Sequence, residues 1–243
     1  MSENTNEYGD RAVVEPSMVP GDPLPATALI GFIHHDVRAL LEAIGRPDAE
    51  AQSFSAAASV YRVDDGTVVV GPTVGAPAAV IVQEMLIARG VERILCLGSC
   101  GSLQRGIVIG DLILPDSALS DEGTSDHYLH PDALPIASGA VIRSLEQSLE
   151  ERGLRAHRGP VWTTDAPFRE TVDAVTRFSQ QGILAVEMEM SALFTVGMYR
   201  EVDVGALLFV SDELATLEWV QAFRSDEVRD ARKTAAEVIV SAL

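Results

Sequence analysis

The stretch Arg93-Ile94-Leu95-Cys96-Leu97-Gly98-Ser99-Cys100-Gly101-Ser102 decides how this chain is read. Its apolar start is too short for a helix and is rich in residues that suit a fully buried strand, so residues 93–97 are expected to form one. The glycines and serines that follow offer backbone amides and hydroxyls at a strand end, where an anion or a sugar can be held. The same residues also suit a tight turn between packed strands.

Working outward, short β-branched runs alternate with amphipathic segments from residue 26 onward, the pattern of an α/β domain with a largely parallel sheet. Residues 28–32 read as a strand and 36–44 as a helix closed by Gly45. Residues 59–63 and 67–70 read as strands joined through Asp64-Asp65-Gly66. The loop Gly71-Pro72-Thr73-Val74-Gly75 opens a helix over 77–88 that ends at Gly90. Further on, strands are expected at 111–115, 156–162, 183–186 and 204–210, and helices at 140–152, 168–178 and 219–242. The polar connection 120–135 is long enough for a lid or a subunit contact. No internal repeat and no composition shift marks a second domain.

The chain has 243 residues, 47% of them hydrophobic and 22% charged, enough for one domain with a substantial core. Its 18 basic against 36 acidic residues give a formal charge of −18, which disfavours nucleic acid and anionic membranes as partners and suits a neutral small molecule. No apolar run approaches the length of a membrane span. Residues 1–25 carry early acids and later prolines, unlike a signal peptide, and are expected to be a flexible leader before a domain over 26–243. Cys96 and Cys100 fit reduced thiols of a cytoplasmic protein, and neither a metal-ligand set nor a cofactor motif is visible.

Three polar clusters fall at the C-terminal ends of expected strands, where open α/β sheets place ligands: Gly98-Ser99, Glu187-Met188-Glu189 and Ser211-Asp212-Glu213. Asp212 follows the apolar run Gly205-Ala206-Leu207-Leu208-Phe209-Val210, and a half-buried carboxyl there tends to keep its proton, making it a candidate general acid.

In order along the chain, the Gly71 to Gly75 loop, Gly98-Ser99-Cys100-Gly101, Gly110-Asp111, Val186-Glu187-Met188-Glu189 and Val210-Ser211-Asp212 resemble the nucleoside phosphorylase and nucleosidase superfamily. The resemblance implies a single α/β domain with a central mixed, twisted sheet flanked by helices in three layers, and a homo-oligomer. It implies cleavage of a nucleoside N-glycosidic bond, in which the sugar gains oxocarbenium character while the base gains electron density. Glu189 would accept hydrogen bonds from the ribose hydroxyls and stabilise the growing positive charge, with Glu187 and Ser211 beside the substrate and Met188 beneath the ribose. Asp212 would protonate or hydrogen-bond a purine-type base as it leaves, a role that supplies about 10²–10⁴ in rate. Trp162 and Phe168 would lie against the base, although a core position suits Trp162 nearly as well. Gly31, Gly75, Gly98 and Ser99 would frame a phosphate or water site.

The sequence departs from the family pattern at the acceptor site. Where bacterial purine phosphorylases resembling this chain carry an arginine before the Gly-Ser loop, Cys96 stands here. At the spacing of a second arginine after Gly31 stands His35. Inorganic phosphate as co-substrate would then depend on Arg38, Arg62 or a neighbouring subunit's arginine. Asp36 occupies the position of the acid that positions water in the nucleosidase branch, though the first turn of a helix equally suits it. The reading is a phosphorylase of purine-type nucleosides, with a hydrolytic nucleosidase or a non-catalytic nucleoside-binding relative as alternatives. The Thr124-Ser125-Asp126-His127-Tyr128 segment has no chemical role assignable from spacing.

Overall fold

The computed structural model describes residues 12–128 and 133–243. Within the stretch read as a leader, residues 1–11 fall outside the described residues. Nearer the domain, the Leu24 amide donates to the Arg89 carbonyl at 2.8 Å.

The centre of the sheet is parallel: β1 (Thr27–Gly31) lies between β4 (Thr67–Gly71) and β5 (Arg93–Ser102), with Leu29 in register with both Val69 and Leu95. Ala28, Leu29 and Ile30 have no exposed surface, which is why this strand is apolar without alternation. β3 (Ser59–Arg62) returns antiparallel on β4 through the expected turn, where the Gly66 amide donates to Asp64 Oδ1 at 2.8 Å. A short β2 (Gln52–Ser53) extends that edge.

On the other side, β5 pairs parallel with β9 (Asp203–Glu213) and antiparallel with β8 (Ala185–Glu187). β9 continues antiparallel to β6 (Leu112–Asp121), β6 runs parallel to β7 (His157–Thr164), and β7 pairs parallel with β8, so these strands close into a ring. β5 does not end at residue 97 as expected. It runs on through the Gly-Ser stretch because β8 and β9 supply partners as far as Ser102.

Between Cys100 and Gly101 the register with β9 slips: Cys100 faces Val210 but Gly101 faces Asp212, leaving Ser211 as the extra residue. A bulge of this kind bends its strand and re-aims the side chains beside it.

Helices cover both faces. α1 (His34–Ala43), α3 (Gly139–Glu151) and α6 (Asp226–Ser241) pack on one side, and α2 (Ala76–Ile87) with α5 (Met190–Arg200) on the other. Two expected helices are shorter than the sequence suggested. The stretch from 168 is a single 3-10 turn, Pro167–Arg169, before α4 (Val172–Gln180) begins at its Thr171 cap. The stretch from 219 first forms β10 (Val220–Gln221), paired with Glu213 and Asp212. The helix starts only at the Ser225 cap, whose side chain accepts from the Val228 amide. No helix among the described residues is long and apolar enough to cross a membrane.

Candidate active site

A cleft of about 400 Å³ opens at the C-terminal ends of β5, β8 and β9. Its floor is Ser99, Cys100 and Gly101 from β5, Glu187 and Met188 from the β8–α5 turn, and Ser211 and Asp212 from the bulge of β9. Phe168, Glu170, Trp219 and Phe223 form its mouth. The three clusters picked out at strand ends therefore converge on one concavity: β5 and β9 run parallel and end together, and the short β8, antiparallel to β5 with Val186 facing Gly101, brings the Glu187–Met188 turn alongside.

The bulge puts Asp212 into this cleft. One carboxylate oxygen accepts from the Ser211 hydroxyl at 2.8 Å and the other from the Trp219 indole N–H at 2.9 Å. Gly101 leaves the room: a Cβ there would stand 3.0 Å from Asp212 Oδ2 and 2.6 Å from the Leu214 side chain.

The adjoining turn is organised by two buried acids. Glu187 accepts the Thr163 hydroxyl on one oxygen, and the Glu189 and Met190 amides on the other at 2.6 and 2.8 Å, so its carboxylate caps α5. Glu189 accepts the Gly75 amide at 2.5 Å, which ties this turn to the N-terminus of α2. Gly75 holds φ at +85°, a conformation that favours glycine. Burial pushes both carboxyls above the ordinary range, and for Glu189 the neighbouring Glu187 charge adds to it. Met188, between them, faces the cleft.

Of the residues singled out from sequence, Asp212, Ser211, Met188, Glu187, Ser99 and Phe168 line the cleft. Glu189, the residue after Met188, is buried and does not itself line the cleft. Gly75 reaches the site through Glu189. Gly98 is covered by Phe32, whose ring carbon would lie 2.4 Å from a Cβ there. Gly31 packs on the start of α1, where a Cβ would lie 2.6 Å from Val37 N.

Two assignments are corrected. Trp162 is only 1% exposed and belongs to the core, with its ring 4.6 Å from Phe178 and its N–H donating to Asp121. It does not line the cleft, because β7 turns its side chain toward α4. Asp36 is buried in α1, where it accepts from the Ile33 amide and from Arg232 of α6. Burial raises its carboxyl to about 6 against the opposing pull of Arg232. Like Glu189 it does not line the cleft; each of its oxygens holds one protein donor, and its charge is near enough to add to the upward shift of Glu189. The arginines considered as substitutes for phosphate ligands are also occupied elsewhere: Arg38 pairs with Glu42 on the surface, and Arg62 donates to the Pro23 carbonyl. Cys96 is fully buried and burial pushes its thiol up, as it does for Cys100.

Sequence reasoning missed Glu170, Trp219 and Phe223. Glu170 follows a 3-10 turn read as helix, and burial together with the Asp212 charge raises its carboxyl to about 7. Trp219 and Phe223 lay in what read as one long helix, so nothing marked them as cleft residues. The segment without an assigned role also finds one. Glu122 accepts from Ser120, Ser125, the Thr124 amide and Ser191. Burial would raise Glu122, but these donors outweigh it and hold the carboxyl below its usual range. Ser191 in turn donates its amide to Thr163 at 2.8 Å, so this segment braces the Glu187–Glu189 turn.

Among the described residues no group of His, Cys, Asp and Glu side chains is placed to hold a metal ion. The family model described as "Phosphorylase superfamily" matches residues 26–243. A purine nucleoside phosphorylase DeoD-type of Caldanaerobacter subterraneus subsp. tengcongensis is 29% identical over 229 residues, 93% of this chain and 95% of that protein. One from Bacillus cereus is 29% identical over 209 residues, 85% of each. Among solved structures, uridine phosphorylase from Vibrio fischeri superposes with a TM-score of 0.80 at 24% identity, covering 95% of this chain and 94% of that one. AMP nucleosidase from Bacteroides thetaiotaomicron superposes at 0.75 and 21%, covering 90% and 87%. These likenesses share the architecture described above, and with the family match over nearly the whole chain they fix its place: the chain belongs to the phosphorylase superfamily.

Proposed function

We propose that residues 26–243 cleave the N-glycosidic bond of a purine-type nucleoside, with Asp212 as the acid that meets the base and Glu189 as the acceptor of the ribose hydroxyls. The observation that carries this reading is that Asp212 and Met188 line one cleft with an aromatic mouth, and that the buried Glu189 follows Met188 in the turn capped by Glu187. A flat base can lie among Phe168, Trp219 and Phe223, where its ring nitrogen meets Asp212. The sugar then rests on Met188. As the bond breaks, Glu189 favours the positive charge growing on the sugar in its ionised form, which burial and the Glu187 charge shift to higher pH, and a proton or hydrogen bond from Asp212 stabilises the departing base.

Phosphorolysis is supported by the names of the relatives at 29% identity. Hydrolysis is favoured by a separate observation: no arginine or lysine lines the cleft among the described residues. A guanidinium bond to a charged group is worth about 1.5–3 kcal/mol, so its absence weighs against a phosphate dianion held by one subunit alone. A homo-oligomer that brings in a cation from a second copy would restore phosphorolysis.

The test is incubation with inosine, adenosine and methylthioadenosine, with and without phosphate, following release of the base. Phosphate-dependent release supports the phosphorylase and phosphate-independent release the nucleosidase. Thermal stabilisation by nucleosides without any release would overturn both.

A further inference from the structure

Trp219 lines the cleft beside Asp212 and is bonded to it. Its Nε1–H donates to Asp212 Oδ2 at 2.9 Å, while the Ser211 hydroxyl donates to Oδ1 at 2.8 Å, so each oxygen already holds one protein donor.

The two donors are held differently. Ser211 is buried within the bulge, and its hydroxyl oxygen is fixed between Asp212 Oδ1 at 2.8 Å and the Cys100 carbonyl at 3.4 Å. Trp219 is 61% exposed and touches Phe223 edge-on, with ring centroids 5.9 Å apart. Its backbone is anchored by the next two residues, Val220 and Gln221, which pair with Glu213 and Asp212. The indole can therefore turn about its side-chain torsions while the β10–β9 ladder stays intact.

Oδ2 keeps a second lone pair, but a planar base that reaches it through the cleft meets the indole that already lies against that oxygen. The displaced ring has the cleft mouth beside Phe168 and Phe223 to move into. The geometry points to Trp219 as a positioning residue for Asp212, one that orients the carboxyl toward the cleft, yields Oδ2 to the base and then covers the base with its ring. This rests on the reading of Asp212 as the acid that faces the base.

The chain has two tryptophans, and Trp162 is buried in the core, so the difference in emission between the wild-type protein and W219F reports Trp219. Both proteins are titrated with adenine and with hypoxanthine while calorimetry follows binding independently. Base binding is expected to shift the emission of the wild type and not that of W219F. W219F keeps a ring but has no N–H to compete, and it is expected to bind the base about 3–10-fold more tightly. Its KM should fall and its kcat should fall too, because Asp212 has lost one of its two guides. W219A, lacking the ring, is expected to bind more weakly than the wild type.

Unchanged emission while calorimetry registers binding would overturn the proposal, as would W219F weakening binding to the same extent as W219A. Failure of the underlying reading looks different: no heat with either base, and no base released from nucleosides by the wild type.

Discussion

Asp36 and Arg232 are 196 positions apart in the chain and meet at 2.9 Å, Oδ1 to Nε, fastening α1 to α6 beneath the sheet end. The carboxylate's second oxygen accepts the Ile33 amide at 3.1 Å, and the guanidinium lies 4.9 Å from the Phe209 ring centre. An acid so engaged serves the fold: it holds the first helix after β1 against the last helix of the chain.

Replacing Arg232 with Met leaves Asp36 buried without its partner. The expected cost is about 3–5 kcal/mol in urea unfolding, while the D36N/R232M double variant recovers much of it. A loss below about 1 kcal/mol in R232M would contradict the structural role given to this pair.

Glu170 predicts a pH dependence of stability. Burial and the Asp212 charge raise its carboxyl from 4.5 to about 7, so the folded protein holds this proton more firmly than the unfolded chain. Its contribution is complete below about pH 4.5 and is lost as pH rises through about 7. Asp36, Glu187 and Glu189 are raised in the same sense, so the melting temperature should fall across this window. E170Q should flatten that slope without abolishing it. Equal slopes for wild type and E170Q would refute the assignment.

Trp162 separates core from cleft. W162A is expected to lose about 3–5 kcal/mol of stability, since a large buried ring is removed from its contact with Phe178. Base release per folded molecule should be little changed. A selective change in preference among bases with stability preserved would return Trp162 to the binding site.

The order of apolar strands was legible because each has its own local pattern: the parallel centre of β1, β4 and β5 reads as unbroken β-branched and aliphatic runs. Asp212, Ser211 and Met188 were legible as polar or soft residues directly after such runs. The bulge at Ser211 was not, since it depends on how β9 registers against β5, and a single chain segment carries no trace of its partner's register. Trp219 was hidden for a related reason. Two residues of β10 are held by pairing with Glu213 and Asp212, and that contact outweighs a helical pattern that locally runs through to Ala242. Asp36 reads alike as a helix-start acid and as a water-positioning one. Only the presence of Arg232, far away in sequence, distinguishes them.

Base release by D212N, set beside the wild type with and without phosphate, reaches the centre of the account. The expected result is a fall in the rate by about 10²–10⁴, with affinity for the nucleoside little altered, because Asp212 acts as the base departs. An unchanged rate in D212N would contradict it.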